Sequence, residues 1–198
     1  DAGIGKTRLL REFAAAARAR GIEPCASRGY AELRVPFLPA VEVLGPRLRE
    51  LPPSVADALG PQADVVLAFA AGGAPAARVP SDDEKLRLFL AVSRAVVELA
   101  RLGPLLIVLD DLHWVDQASL ELFTHLVFTV SDAAERAALP LLIVAATRPL
   151  ASEQHLARTV ARFQREPICR TLELGGLDED RLRELLCALG LARPSPQM

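Results

Sequence analysis

Two unbroken apolar runs constrain this chain more than anything else in it. Leu105-Leu106-Ile107-Val108-Leu109 ends in Asp110-Asp111, and Leu141-Leu142-Ile143-Val144-Ala145-Ala146 ends in Thr147-Arg148-Pro149. Neither run alternates apolar with polar residues, so neither suits a strand with one wet face. Each reads as a strand buried on both faces, as in a parallel sheet covered by helices. Residues from about Gln117 to Val130 lie between the two runs and read as a helix. Strands that alternate with helices predict an α/β fold with a parallel sheet.

The rest of the chain extends that alternation. Leu9, Leu10, Phe13 and Ala17 mark one apolar face of a helix reaching about Arg20, where Gly21 stops it. Glu23 to Tyr30 reads as a short strand. Between 33 and 80 the prolines at 36, 39, 46, 52, 53 and 61 break the segment, with short helices expected near 40–50 and 54–59. Ala71-Gly72-Gly73-Ala74-Pro75 reads as a loop. Ser81-Asp82-Asp83-Glu84 is a capping box for a long helix ending near Leu102. A helix is expected over 152–164 and a last strand over Cys169 to Leu174. Asp178 then caps a helix with Leu182, Leu185, Leu186 and Leu189 on one face, as core or interface.

The chain starts with Asp1-Ala2-Gly3-Ile4-Gly5-Lys6-Thr7. The phosphate-loop pattern is G-x-x-x-x-G-K-[ST], and only its first glycine is missing here. Successive N–H groups in such a turn can cradle a dense anion, and the helix behind it adds the positive end of its dipole. Lys6 would reach the β- and γ-phosphates and the Thr7 hydroxyl would ligate Mg²⁺. Ala2, Gly3, Ile4, Gly5 and Arg8 complete the nucleotide-binding set. A glycine turn capping an ordinary helix matches the same letters. Composition argues against that: the chain has two lysines, Lys6 and Lys85, against 21 arginines. A lysine kept in this slot points to a chemical requirement.

Open α/β sheets bind ligands at the carboxyl ends of their strands. Asp110 and Asp111 stand at such an end. Asp110 would hold Mg²⁺, through water, and Asp111 would orient or deprotonate an attacking water. Arg148, at the next strand end, would contact the γ-phosphate. Strand-end Asp pairs also make plain turns, and strand-end arginines are also plain surface residues. Asp116 is read as the cap of the 117–130 helix. His113 falls close enough to line the site, Trp114 is read as packing, and His125 as structural.

Composition narrows the remaining classes. At 198 residues the chain fits one medium domain, or one domain and the start of another. The formal net charge of −2 gives no basic footprint for nucleic acid. Three scattered cysteines match no metal or disulfide spacing, which suits a reducing cytoplasm. No apolar run reaches membrane-spanning length, and no signal peptide is visible. The absent initiator Met points to a fragment.

Four segments in order carry a family resemblance: Gly-Ile-Gly-Lys-Thr-Arg-Leu, Leu-Ile-Val-Leu-Asp-Asp-Leu-His-Trp-Val-Asp, Ile-Val-Ala-Ala-Thr-Arg-Pro and Leu-Glu-Leu-Gly-Gly-Leu-Asp. The chain resembles the AAA-type P-loop ATPase domain of the STAND class of signal-transduction ATPases. Its nearest look-alikes are origin-recognition-like modules of large LuxR-type transcriptional regulators and of some bacterial adenylate cyclases and kinases. The resemblance implies a three-layer fold with a parallel sheet of order 5-1-4-3-2. It implies ATP and Mg²⁺ as cofactors, with slow hydrolysis resetting an oligomerisation switch. It makes Gly5, Lys6 and Thr7 ligands of phosphate and Mg²⁺, Asp110 the Walker B acid, Asp111 the second acid and Arg148 the sensor arginine. It divides the chain into an ATPase core over 1–174 and the beginning of a helical lid over 175–198. Many AAA proteins have Glu where Asp111 stands, and Gly175-Gly176-Leu177 has Gly where Pro is expected.

The implied partners are nucleotide, effector domains of a parent protein and further copies of itself, with no direct nucleic-acid contact and no membrane. The strand expected ahead of the phosphate loop is central to the family's sheet. The segment is therefore expected to bind nucleotide poorly until that strand is restored. Two alternatives stay open: a hydrolysis-poor nucleotide-holding scaffold, and an ATPase acting on DNA. A GTPase is disfavoured, because the guanine-reading motif is usually built on Asn-Lys-x-Asp and this chain contains no asparagine.

Overall fold

The computed structural model describes residues 3–29, 35–72, 81–148 and 154–188. Three parallel strands form its sheet: β1 (Cys25–Arg28), β2 (Leu105–Asp110) and β3 (Leu141–Ala145), in the order β1-β2-β3. Arg28 lies opposite Asp110, and Leu109 opposite Ala145, so the three strands end at nearly one level. Both apolar runs are strands, as expected. Leu105 to Leu109 are all buried, whereas β3 stands at the edge of the described sheet with Leu142 half exposed.

Successive strand residues point to opposite faces, and β2 shows it. Leu105, Ile107 and Leu109 enter the larger apolar core, Leu106 and Val108 the smaller one. The smaller core is closed by Leu10 and Ala17 of α1 (Lys6–Arg18). The larger is closed by α2 (Leu38–Leu48), α3 (Pro53–Leu59), α4 (Gln62–Ala70), α5 (Asp82–Leu102) and α6 (Gln117–Arg136), through side chains such as Val43, Val66, Val92, Val96 and Leu126. Each such side chain stabilises the fold by about 1.5–3 kcal/mol when buried. α7 (Gln154–Phe163) packs on α6, and α8 (Glu179–Ala188) carries an exposed Leu182.

The helix ends follow their local chemistry. Ser81 caps α5 with the expected capping box, and Asp116 caps α6 by accepting the Ser119 N–H at 2.9 Å. Gly21, at φ +77, ends the turn behind α1.

Two expectations need correction. The two short helices expected near 40–50 and 54–59 are α2 and α3, but residues 35–72 hold a third, α4, and most of their prolines stand at helix starts, while Pro46 lies inside α2 without ending it. Pro39 lies in the first turn of α2, Pro53 opens α3 and Pro61 precedes α4. Proline is tolerated there because the first-turn N–H groups have no helical partner. Residues 169–174 form no strand, and Leu172 is 83% exposed. A strand needs a neighbouring edge to pair with, and no described strand lies beside this stretch. The expected loop over 71–75 is a turn at 71–72 and lies outside the described residues from 73 on.

Candidate functional site

The phosphate-loop residues lead directly into α1. Gly3 sits at φ +81 and Gly5 at φ +102, where a side chain would be strained. No side chain caps α1 at Gly5, and nothing lies within 4 Å of either glycine's missing Cβ. Among the described residues, no side chain occupies the cap position, and the first-turn N–H groups of α1 would suit an approaching phosphate. Lys6, Thr7 and Ile4 are half-buried, and Gly3, Gly5 and Arg8 exposed. Asp1 and Ala2 lie outside the described residues.

Packing orients that helix. The later residues of α1 (Phe13, Ala16, Ala17) share an apolar groove with Pro104, Leu105, Leu139 and Leu141, where β2 and β3 begin. The start of α1 therefore points toward the strands' carboxyl ends. Its 13 residues span about 18 Å, close to the roughly 17 Å of β2. The groove itself, about 640 Å³, lies at the far end from the acids and is lined mostly by apolar side chains, so it does not suit a triphosphate.

The acid pair forms a tight turn. Asp111 adopts a left-handed conformation, φ 53 and ψ 49, and leads into a 3-10 turn over Leu112–Trp114. Its N–H donates to Asp110 Oδ1 at 3.0 Å. Its carbonyl accepts the Trp114 N–H at 2.8 Å. Arg28 reaches across from the end of β1, and its Nε and Nη2 donate to Asp111 Oδ2 at 2.9 and 2.8 Å. The Asp111 side chain is 12% exposed and that of Arg28 60%. Gly29 presses on the same turn: a Cβ there would lie 2.5 Å from the Asp111 carbonyl oxygen and 2.8 Å from Trp114 Cβ.

Backbone bonds tie the end of β3 to this turn. Ala146 N–H donates to the Leu109 carbonyl, and Leu112 N–H to the Ala146 carbonyl, both at 2.8 Å. Thr147 and exposed Arg148 follow immediately. The His113 and Trp114 rings meet at a tilt of 43°, their centroids 4.9 Å apart. Asp116, beyond its capping role, accepts the buried Phe37 N–H at 3.1 Å. Phe37 is held at φ 65 with its ring edge-on to Phe69 and Phe89, so Asp116 also fixes the start of α2. His125 lies apart, its Nδ1 3.0 Å from Ser93 Oγ, and burial pushes its pKa below the ordinary 6.5.

Asp110 and Asp111 thus stand at the carboxyl end of the sheet with the start of α1 directed toward it. Among the described residues, Arg148 follows three residues after β3 with no hydrogen bond or ion pair to either acid. Arg28, Gly29 and the second bond of Asp116 were not expected. Arg28 and Gly29 close the strand expected over Glu23 to Tyr30, but only the β1–β2 register puts them beside the acids. The donor set fits nucleotide and Mg²⁺. A glycine-led helix start with no side-chain cap faces one side, and Asp110 has Oδ2 beyond its turn bond. Mg²⁺ typically takes one or two carboxylates with water and phosphate oxygens, so a single strand-end acid suffices.

Comparison with known proteins agrees with this geometry. A family model described as an AAA ATPase domain matches residues 1–144. An uncharacterized protein of Rhizobium meliloti (strain 1021) is 27% identical over 196 aligned positions, covering 85% of this chain. The chain spans only 18% of that relative's length. No solved structure matches. Among the described residues no helix is long and apolar enough to cross a membrane. With residues 1–144 matched, and with a glycine-led helix and an acid-ended parallel strand where such a domain needs them, the chain belongs to the AAA ATPase domain family.

Proposed function

We propose that this chain binds ATP and hydrolyses it slowly with Mg²⁺, as the regulatory switch module of a larger cytoplasmic signalling or transcriptional regulator. What supports this reading most is the direction of the glycine-led α1 toward the strand end that carries Asp110 and Asp111. The loop amides and Lys6 would hold the phosphates, and Thr7 and Asp110 the Mg²⁺. The ion, when bound, neutralises charge on the β- and γ-phosphate oxygens. Asp111 would be the second acid, and Arg148 would register the γ-phosphate. Residues 1–174 would form the core and 175–198 the start of a lid, with effector domains or further copies as partners.

The finer architecture belongs to the same proposal. Cores on both faces of β2 support three layers. The order β1-β2-β3 suits the 4-3-2 part of a 5-1-4-3-2 sheet. The half-exposed edge at β3 would receive the strand ahead of the phosphate loop, and residues 169–174 would pair only beyond it.

Calorimetry on the full-length protein with Mg²⁺ and ATP tests the reading. Lys6→Ala should abolish the binding heat, and unchanged affinity in that variant would sink it. The Arg28–Asp111 pair favours a second reading, a module that holds nucleotide and hardly turns it over. There Asp111→Asn would leave the slow hydrolysis rate unchanged. Salt-dependent DNA binding by this domain would instead revive an ATPase acting on DNA.

A further inference from the structure

We propose that Asp116 is a latch between the turn after β2 and the start of α2, and that it passes the state of the strand end to the α2–α4 helices. This rests on the nucleotide-binding reading above. The side chain serves two elements with one oxygen. Asp116 Oδ1 accepts the Ser119 N–H at 2.9 Å and the Phe37 N–H at 3.1 Å. Asp116 Oδ2 and Ser119 Oγ are buried with no hydrogen-bond partner among the described residues. A cap for α6 alone needs a single acceptor, and serine or asparagine supplies it as well as aspartate does. Capping does not explain the second bond, to a residue 79 positions away. Oδ2 stands in reserve, so α6 can keep its cap after Phe37 has been released.

Phe37 is the element with two positions. Its backbone stands at φ 65 and ψ 0, in the left-handed region where a residue with Cβ is strained. Its ring is 2% exposed and meets Phe69 of α4 and Phe89 of α5 edge-on. Release of the amide lets the backbone relax, and the ring cannot follow without moving against both neighbours. α4 is tied to the far end of α2, because Arg49 Nη1 donates to the Ala70 carbonyl at 2.8 Å. The input end is tied as firmly. Asp110 and Asp116 bound a single turn, closed inside by the Trp114 N–H on the Asp111 carbonyl and the Val115 N–H on the Leu112 carbonyl. A ligand held at Asp110 fixes this turn, and with it the acceptor of the Phe37 amide. The held state of Phe37 is then favoured over the released one.

The test is hydrogen exchange on the full-length protein, without ligand and with Mg²⁺ and ADP at saturation verified by calorimetry. In the wild type, ligand should slow exchange on the order of tenfold at Ser119 and at Phe37. In Asp116→Ser the side-chain oxygen lies one bond closer to the backbone, so it caps α6 and does not reach Phe37. Ser119 should still respond there, and Phe37 should not. Without ligand, the same variant should already speed exchange at Phe37 and leave Ser119 as it was. Asp116→Asn keeps an acceptor at Oδ1 and should keep both responses, a comparison that stands even if the serine variant does not fold. The latch is overturned if Phe37 still responds in Asp116→Ser, or if Phe37 exchanges there as in wild type without ligand. It is also overturned if ligand leaves Phe37 unchanged in wild type that binds ADP. A response lost in Asp116→Asn would assign it to the charge of Asp116, and overturn the latch too. Wild-type protein that binds no ADP would instead refute the nucleotide reading, and the ligand-free comparison would still decide whether Asp116 holds Phe37.

Discussion

Replacing Gly29 with alanine tests how tightly the acid turn is built. Gly29 follows Arg28 at the end of β1 and donates its N–H to the Asp110 carbonyl at 3.0 Å. An added Cβ would stand 2.5 Å from the Asp111 oxygen, 2.8 Å from Trp114 Cβ and 3.1 Å from the Trp114 carbonyl carbon. The first and last of these are backbone atoms, which cannot rotate away. They are also pinned, since Leu112 N–H is bonded to Ala146 and Trp114 N–H to Asp111. The turn or β1 must therefore shift. Overpacking of this kind costs about 1–3 kcal/mol, while the smaller chain entropy of alanine returns about 0.4–1 kcal/mol. A net loss of about 1–2 kcal/mol lowers Tm by roughly 2–8 °C in a domain of this size. Thermal unfolding followed by circular dichroism reads the loss, and Trp114 emission reads the shifted turn. A variant as stable as wild type, with unchanged emission, would show that the turn is loose and that the close approach constrains nothing.

Asp116→Ala should destabilise by about 2–3 kcal/mol, because it removes a helix cap and strands a second buried N–H. Denaturant unfolding measures it, and hydrogen exchange should quicken at Phe37 as well as at Ser119. His125 has a folded pKa below its ordinary 6.5 through burial, so the unfolded chain takes up the proton first. Its contribution is full above about pH 6.5 and is lost as pH falls below that. The drop in Tm between pH 7.5 and 5.5 should therefore shrink in His125→Gln. Ser81→Ala should remove about 1 kcal/mol by opening the capping box of α5, measured by urea unfolding. Mg²⁺ and ATP added to the full-length protein should shift Trp114 fluorescence, since its backbone belongs to the acid turn; no shift together with no binding heat would count against the site.

Local signals carried much of this fold. Continuous apolar runs marked β2 and β3, and Ser81 and Asp116 announced two helices by capping chemistry that acts within four residues. What escaped depends on neighbours far along the chain. Arg28 and Asp111 are 83 residues apart, and Phe37 and Asp116 79. Only strand register and helix packing bring each pair together. Residues 169–174 show the opposite failure. Cys169 to Leu174 has strand character, but propensity cannot form a strand without an edge to join. The prolines of 35–72 hid α4 for a third reason: Pro61 reads as a breaker but stands at a helix start, and even Pro46, inside α2, does not end its helix.

The turn after β2 is where these long-range ties converge. Gly29 holds it from β1, Ala146 from β3 and Phe37 from α2, within the seven residues from Asp110 to Asp116. A change in how Asp110 meets a ligand cannot stay local, because its Oδ1 is bonded to the amide that begins this turn. Phe37 and Asp111 have unusual backbone, and each is held by a side chain from elsewhere in the chain, Asp116 and Arg28 respectively. Strain held by partners is relieved when a partner lets go. A nucleotide module built this way has two contacts through which occupancy at the strand end could alter β1 and the α2–α4 helices. Arg28 and Asp116 are the side chains on which such a response would depend.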